Sequence, residues 1–457
     1  MDRLKGFSME RSGGGCQQHS SLGCPCPPGL PGWRTYSGGL EGSIQWGFDV
    51  SAGLTRRVVV GGAFASAVLA GAAACGNPEA GSTSGGSGRA AGTDPARRSS
   101  GAPVPAAVTV AGGIRGGPVP FGAPVTLHSS APLRSLTVTD TAGAVVGGDL
   151  SGNGTSWVSS GLVGPGETWS WTATTPAGAV SHGMVSSTAA TLRVRVTANI
   201  GVGMTVGVAA PIVLGFGARV TDPATVQKNL QVLMRPAGST GAWRKAVGSW
   251  AWLPDDAPNS TAHFRTKQYW PAHTQVHVIA PLAHLDFGGG VTGVQDFDWQ
   301  FTVGRSQVVV ADAAKHNLVI YRDGVKVATY PASYGLDSDP IRNTRSGINI
   351  VTSKHQTFEM KSTLFHYDEI EHWAVRFNDD GQFIHANPTT VRYQGTTNVS
   401  HGCINLSTPH AKAYYQSAIY GDPIEVSGTK VKLADTRTKL YDWALTWKQW
   451  TAMSAIH

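Results

Sequence analysis

The chain has 457 residues, including 58 Gly and 26 Pro, and only 14% of its residues are charged. At roughly 150 residues per domain this length suggests about three domains, and the composition favours turn-rich β structure over helical bundles or an acidic disordered protein. The formal net charge of +7 suits an anionic surrounding such as a cell wall or a lipid surface, although an ordinary, mildly basic surface explains it equally well. No long Lys/Arg run or nucleic-acid motif occurs, so we expect no nucleic-acid partner.

Residues 1–75 differ in character from the rest of the chain. We interpret them as a wrongly assigned start followed by an export signal, with Arg56-Arg57 before an apolar run over residues 58–74 and then Cys75-Gly76. The two arginines also fit a twin-arginine signal, but such pairs are common in any export signal. Cys24-Pro25-Cys26 lacks the spacing of a zinc site.

Residues 72–75, Ala-Ala-Ala-Cys, resemble a bacterial lipobox, although Ala72 stands where that pattern usually has Leu. We expect Cys75 to receive a lipid and to anchor the exported protein to the outer face of the plasma membrane, in the cell envelope. Residues 76–105 are rich in Gly, Ser, Ala, Thr and Pro, which predicts a flexible linker. Cys403 is then the only other cysteine of the mature chain, which favours a reactive thiol.

Residues 106–190 and 191–304 contain short alternating runs separated by Gly-, Pro- and Asp-containing turns, which predicts two immunoglobulin-like β-sandwich domains. The runs cover residues 107–110, 124–127, 136–139 and 168–172 in the first segment, and 192–196, 276–280 and 298–303 in the second. Four tryptophans crowd one part of the second segment, at Trp243, Trp250, Trp252 and Trp270. We favour core packing for them over a carbohydrate-stacking surface.

Residues 305–428 form a further segment, predicted to be mostly β with one prominent helix. Residues 317–322 and 325–330 alternate around Asp323-Gly324, a strong hairpin signal. Ser407 or Thr408 followed by Pro409 predicts the start of the helix.

The C-terminal extension, residues 429–457, carries three tryptophans at the spacing of one helix face, at Trp443, Trp447 and Trp450. We expect this Trp-rich tail to pack onto the preceding domains rather than to contact a substrate.

The chemistry-bearing residues lie between positions 383 and 407. Cys403 is flanked by His401 and Asn405, and His385 lies eighteen positions earlier (403 − 385). A predicted hairpin, residues 374–377 and 382–384, places His385 at the end of a strand, and Cys403 is expected in a loop shortly before the helix. A cysteine beside a histidine suggests nucleophilic catalysis, because the imidazole accepts the thiol proton. A buried, unreactive Cys403 is the alternative.

His385 followed by Ser400-His401-Gly402-Cys403-Ile404-Asn405 resembles the motif of the L,D-transpeptidase (YkuD) catalytic domain. The resemblance extends over about residues 306–428, to actinobacterial cell-wall enzymes that carry immunoglobulin-like domains ahead of it. It implies a cysteine acyltransferase, without a cofactor, that takes peptidoglycan stem peptides. Cys403 would form a thioester on a tetrapeptide stem with release of D-Ala, and a neighbouring amine would then complete a 3→3 cross-link. Carbapenem-type β-lactams are the inhibitors that the resemblance implies.

We assign His385 as the base, and the resemblance implies that the carbonyl of Ala386 orients its second ring nitrogen. The N–H groups of Gly402 and Cys403 are the expected oxyanion donors. Ser400 and Asn405 are expected to fix this loop by side-chain hydrogen bonds.

For three further residues the sequence leaves more than one role open, or gives a role only through the resemblance. His401 lines the oxyanion region, competes as the base, or is purely structural. By the resemblance, Tyr367 lies near the substrate carbonyl and Met360 in a mobile lid, with plain packing as an equal alternative for Met360. The histidines lack metal-binding spacing, so we expect no metal site.

Two other functions stay open from the sequence. The same site could act as an L,D-carboxypeptidase or endopeptidase if water replaces the acceptor amine. The chain could also be a wall-binding lipoprotein with a degenerate enzyme domain, although the intact motif argues against this.

Overall fold

The computed structural model describes residues 103–113, 117–254, 258–433 and 440–456. The predictions for residues 1–75, including Cys75, and for nearly all of the linker lie outside these residues. The described chain is mainly β, as predicted, and its helices are short: α1 Pro223–Asn229, α2 Thr408–Ser417, α3 Trp447–Ala452, and the 3-10 helices Pro388–Tyr393 and Asp442–Ala444. None of the helices in the described ranges is long and apolar enough to cross a membrane.

The first sandwich encloses its core between two sheets, of order β1-β2-β5-β4 and β3-β6-β7. In β6, Trp169, Trp171 and Ala173 alternate with more exposed residues and point into this core, because successive side chains of a strand face opposite sides. The strands are β1 Val108–Val110, β2 Pro124–Ser129, β3 Ser135–Thr139, β4 Gly148–Leu150, β5 Ser156–Leu162, β6 Thr168–Thr174 and β7 Val180–Ser186.

The second sandwich pairs sheets of order β10-β18-β16-β12-β13 and β14-β15-β11-β9, with a small β17-β8 ladder. Trp250 and Trp270 are buried in its core, as predicted, whereas Trp243 is half-buried beneath the guanidinium of Arg235, 4.1 Å from the ring centre. The strands are β8 Leu192–Val194, β9 Val196–Ala198, β10 Thr205–Val206, β11 Ile212–Phe216, β12 Gln231–Pro236, β13 Arg244–Lys245, β14 Gly248–Leu253, β15 Thr261–Thr266, β16 Thr274–Ala280, β17 Val291–Gly293 and β18 Phe297–Val303.

The third region also has two sheets, of order β21-β20-β19-β27-β22 and β23-β24-β25-β26, and α2 packs on β24 and β25. The predicted hairpin is confirmed, with Asp323 and Gly324 both at positive φ (49° and 81°), as a two-residue turn requires. The strands are β19 Gln307–Asp312, β20 Asn317–Arg322, β21 Val325–Pro331, β22 Gly347–Ile350, β23 Ser353–Ser362, β24 Tyr367–Arg376, β25 Phe383–Ala386, β26 Ile404–Leu406 and β27 Pro423–Ser427.

The C-terminal tail packs onto the second sandwich, as predicted. Trp450 is fully buried against Ala251 and Leu253 of β14, and the Arg265 guanidinium lies 4.6 Å from the ring centre of Trp443 and 4.8 Å from that of Trp450. The single helix expected over the three tryptophans is wrong. Thr446 caps α3 through a capping box with Gln449, so the helix begins only at Trp447 and Trp443 belongs to a separate 3-10 turn.

The second sandwich and the third region meet along a backbone seam. The N–H of Gly207 donates to the carbonyl of Tyr420 (2.7 Å), and the N–H of Ala209 donates to that of Gly421 (2.9 Å). Beside the seam, Arg305 donates two hydrogen bonds of 2.7 Å to the buried carboxylate of Asp422. Burial raises the pKa of Asp422, against the lowering effect of Arg305.

Candidate active site

Two short parallel strands bring the histidine and the cysteine together. In the β25–β26 ladder Ile384 pairs with Ile404 and His385 with Asn405, so Cys403, directly before β26, lies beside the strand that carries His385. The hairpin predicted to hold His385 is confirmed by the pairing of Val375 with Ile384. Cys403 lies in a loop shortly before α2, as expected, and the three residues of β26 lie between them.

His385 is buried, and two oxygen atoms contact one nitrogen of its ring. Its Nδ1 lies 3.1 Å from the carbonyl oxygen of Ala386 and 3.1 Å from Oε2 of Glu371, which leaves Nε2 as the ring nitrogen that can act as a base. Burial lowers the pKa of His385, but its interactions with Cys403 and Glu371 outweigh this effect and raise the pKa to about 10. This environment favours the imidazolium form of His385.

Cys403 is partly exposed, so a substrate can reach it. Its Sγ lies 3.9 Å from the carbonyl oxygen of Gly381, and its side chain packs on a small apolar cluster with Met360 and Phe383. Tyr367 belongs to the same cluster, and burial together with the charge of Cys403 raises the pKa of Tyr367. The phenol therefore stays protonated and can donate a hydrogen bond near the sulfur.

Ser400 fixes the cysteine loop, as expected. Its hydroxyl donates to the carbonyl of Cys403 (2.6 Å) and accepts from the N–H of Gly402 (3.1 Å). The Gly402 carbonyl in turn accepts a hydrogen bond of 2.9 Å from the hydroxyl of Thr344. The N–H of Gly402 thus already has a partner, which corrects its expected role as an oxyanion donor and leaves the Cys403 N–H as the candidate.

Asn405 is placed differently from the expectation. Its side-chain amide donates to the hydroxyl of Thr390 in the 3-10 helix Pro388–Tyr393 (3.2 Å), not to the Ser400–Cys403 loop. Its backbone exchanges two hydrogen bonds with Ser333, of 2.8 and 3.1 Å. Asn405 therefore ties β26 to neighbouring segments.

His401 is exposed and stacks against aromatic rings. Its ring centre lies 4.6 Å from that of Phe365 and 5.5 Å from that of Tyr367. Partial burial, with a smaller effect of Arg342, lowers the pKa of His401, so its imidazole is neutral at physiological pH. These contacts form an aromatic wall beside the cysteine.

Met360 is buried on β23 against Ala374 and Phe383. This contact fits the packing alternative for Met360. In the described ranges, no group of three or more His, Cys, Asp or Glu side chains is arranged to hold a metal.

Glu371 was not identified from the sequence, although its carboxylate touches His385. The available signal was its position on the same face of a strand as Tyr367, four residues earlier (371 − 367). The pairing of that strand with β25 was only partly predicted, so the contact could not be found.

The comparisons with known proteins agree with this architecture. A Bacterial Ig domain model matches residues 117–286, and the L,D-transpeptidase catalytic domain model matches residues 306–426. The chain belongs to the L,D-transpeptidases, enzymes that cross-link peptidoglycan. It is 38% identical over 334 residues to L,D-transpeptidase 5 of Mycobacterium tuberculosis, covering 71% of each chain. It is 28% identical over 353 residues to L,D-transpeptidase 2 of that species, covering 74% of this chain and 82% of the relative.

Solved structures also match part of the chain. One is the structure of LD transpeptidase LdtMt1 in complex with imipenem, with 31% identity, a TM-score of 0.42, and coverage of 52% of this chain and 99% of the other. Another is an L,D-transpeptidase from Mycobacterium smegmatis, with 29% identity, a TM-score of 0.40, and coverage of 51% and 99%.

Proposed function

We propose that this L,D-transpeptidase works as a cysteine acyltransferase, with Cys403 as the nucleophile and His385 as the base, and forms 3→3 cross-links between peptidoglycan stems. The pairing of β25 with β26, which sets Cys403 beside the strand that carries His385, carries this assignment. It supports proton transfer between the thiol and the imidazole, which activates a cysteine nucleophile. The stem-peptide substrate follows from the family.

In the acylation step, the Cys403 thiolate attacks the carbonyl carbon of the diaminoacyl residue of a tetrapeptide stem. The oxyanion of the tetrahedral intermediate accepts hydrogen bonds from the N–H of Cys403 and the hydroxyl of Tyr367. The C–N bond to D-Ala then breaks, and the leaving amine takes its proton from the His385 imidazolium. A thioester on Cys403 and free D-Ala result.

In the second step, the side-chain amine of a neighbouring stem attacks the thioester. Neutral His385 accepts the proton that this amine loses, the C–S bond breaks, and the thiolate–imidazolium pair is restored. A water molecule attacking in place of the amine would give hydrolysis, so the product distinguishes a transpeptidase from a carboxypeptidase or endopeptidase.

The first test is mutagenesis of the pair. Cys403→Ala should abolish formation of stem dimers from purified tetrapeptide stems, and His385→Ala should lower the rate by roughly 10² to 10⁴, the scale of a general base. Near-normal rates in either variant would refute the assignment. Tripeptide monomers as the main product would favour the hydrolase.

A carbapenem provides an independent probe of the thiol. LdtMt1 has been solved in complex with imipenem. For this chain we propose that a carbapenem acylates Cys403, with opening of the lactam C–N bond. Intact-mass analysis should show one adduct on the purified protein and none on Cys403→Ser. Labelling of both proteins, or of neither while both are folded, would contradict the proposal.

We also propose that the protein is exported and attached to the membrane by a lipid on Cys75. The support is the sequence, in which an apolar run after Arg56-Arg57 ends at Ala72-Ala73-Ala74-Cys75. Mass analysis of the mature N-terminus from a bacterial host should find a lipid-modified Cys75, and Cys75→Ser should release the protein from the membrane fraction. An unmodified N-terminus at another residue would refute the anchor.

A further inference from the structure

The position of Glu371 follows from the pairing of β24 with β25. His372 pairs with Ala386, so Glu371 and His385 are diagonal neighbours on one face of the sheet, within reach of a long side chain. A β-bulge between His372 and Val375, with Trp373 at φ 54°, interrupts the ladder just beyond this point. Glu371 is buried, whereas Glu369 on the same strand is exposed.

The contact joins a carboxylate to Nδ1 of the His385 ring. Glu371 Oε2 lies 3.1 Å from His385 Nδ1, and the two side chains are 11% and 5% exposed. The Nδ1–H is shared with the Ala386 carbonyl, also at 3.1 Å. Of the two acceptors only the Glu371 carboxylate carries a charge, so its hydrogen bond is the stronger. This negative charge also compensates the free-energy cost of burying a positively charged imidazolium.

We propose that Glu371 is a positioning residue of the transpeptidase reaction, whose carboxylate holds the Nδ1–H of His385 and stabilises the imidazolium, so that Cys403 is kept as a thiolate. This inference rests on the proposed roles of His385 and Cys403. The Ala386 carbonyl fixes the direction of the ring, and Glu371 adds the charge that a carbonyl lacks. The site is then a Cys-His-Glu triad.

The charge of Glu371 has a defined consequence for pH dependence. The charged groups acting on His385 are Glu371 from β24 and Cys403 from the loop before β26, while Tyr367 faces Cys403 from β24. Removing the Glu371 charge lowers the pKa of His385 and weakens the ion pair. Thiolate reactivity then appears only at higher pH, and the imidazolium is lost at lower pH. A neighbouring charge of this kind shifts the pH at which these groups titrate by about one unit or more. On the sloping acid side of a pH–rate profile, which we call the acid limb, one unit corresponds to about a tenfold change in rate.

The test compares three variants of the full protein: Glu371→Gln, Glu371→Asp and the matched control Glu369→Gln. The readout is the rate of Cys403 alkylation by iodoacetamide across pH, followed by intact mass, because this reaction needs the thiolate but no stem peptide. Glu371→Gln should move the acid limb upward by about one unit and slow alkylation about tenfold on that limb. Glu371→Asp should lie between Gln and the parent, and Glu369→Gln should overlay the parent.

The outcomes distinguish a failure of this inference from a failure of the proposed function. A Glu371→Gln profile that overlays the parent, or one that is lower at every pH without a shift, would overturn the role of Glu371 and leave Cys403 as the nucleophile. An unreactive Cys403 in the folded parent would overturn the proposed function itself. If circular dichroism shows that Glu371→Gln does not fold, Glu371→Asp decides: an upward shift of its acid limb supports the inference, and a parent-like profile overturns it.

Discussion

Gly402, next to Cys403, shows how one residue type shapes the cysteine loop. Its φ of 123° is a conformation that side chains other than hydrogen rarely allow, and a Cβ there would lie 2.8 Å from Nε2 of Gln382. Gln382 is buried and hydrogen-bonded to Asn343, Asn378 and the backbone N–H of Arg345. The amide therefore has little freedom to move away.

We predict that Gly402→Ala destabilises the protein by about 1–3 kcal/mol and slows acylation of Cys403, because the loop has to shift. Gly324→Ala is the control, since it has φ 81° but no atom within 4 Å of the added Cβ. Thermal melts and carbapenem adduct rates measure the two effects. Equal losses in both variants would show that the contact with Gln382 is unimportant.

At the scale of elements, structure that neighbouring residues specify was predicted correctly, whereas pairing between distant strands was not. The 317–330 hairpin was found because Asp323-Gly324 specifies a turn within two residues, and α2 because Ser407 and Pro409 mark its start. The predicted helix over Trp443 is wrong because the capping box of Thr446 and Gln449 starts α3 only at Trp447, although the spacing of the three tryptophans is typical of one helix face.

The missed parts of the site depend on strand pairing. Strand β26 has only three residues, too few for a periodic pattern, and its partner β25 lies twenty positions earlier, since Asn405 pairs with His385 (405 − 385). The contact of Glu371 with His385 depends on the β24–β25 register, and the bulge at Trp373 in that ladder has no signal in the residues themselves. The motif was therefore enough to single out His385 and Cys403, whereas the contact of Glu371 with His385 could be found only from the fold.

At the scale of the whole molecule, Gly207 allows the second sandwich to approach the catalytic domain. Its N–H bonds the Tyr420 carbonyl, and a Cβ would lie 2.3 Å from the backbone nitrogen of Asp422 and 2.4 Å from the carbonyl carbon of Gly421. Backbone atoms cannot move aside as a flexible side chain can. The seam therefore depends on a residue without a side chain.

We predict that Gly207→Ala lowers the free energy of unfolding by about 1–3 kcal/mol, the usual cost of overpacking. Gly201→Ala is the control, because its Cβ would meet only the flexible side chain of Met204, at 3.4 Å. Denaturant unfolding and calorimetry would compare them. A Gly207→Ala variant as stable as Gly201→Ala would mean that the seam opens without cost.

The seam also bears on how such chains are inherited. A recombination event that joined residues 305–428 to an unrelated upstream sandwich would remove the N–H donors that Tyr420 and Gly421 bond, and most replacements would bring a side chain where only Gly207 fits. We therefore expect crossovers within this pair of domains to be selected against more strongly than crossovers outside it. The second sandwich should be inherited together with the catalytic domain as one evolutionary unit.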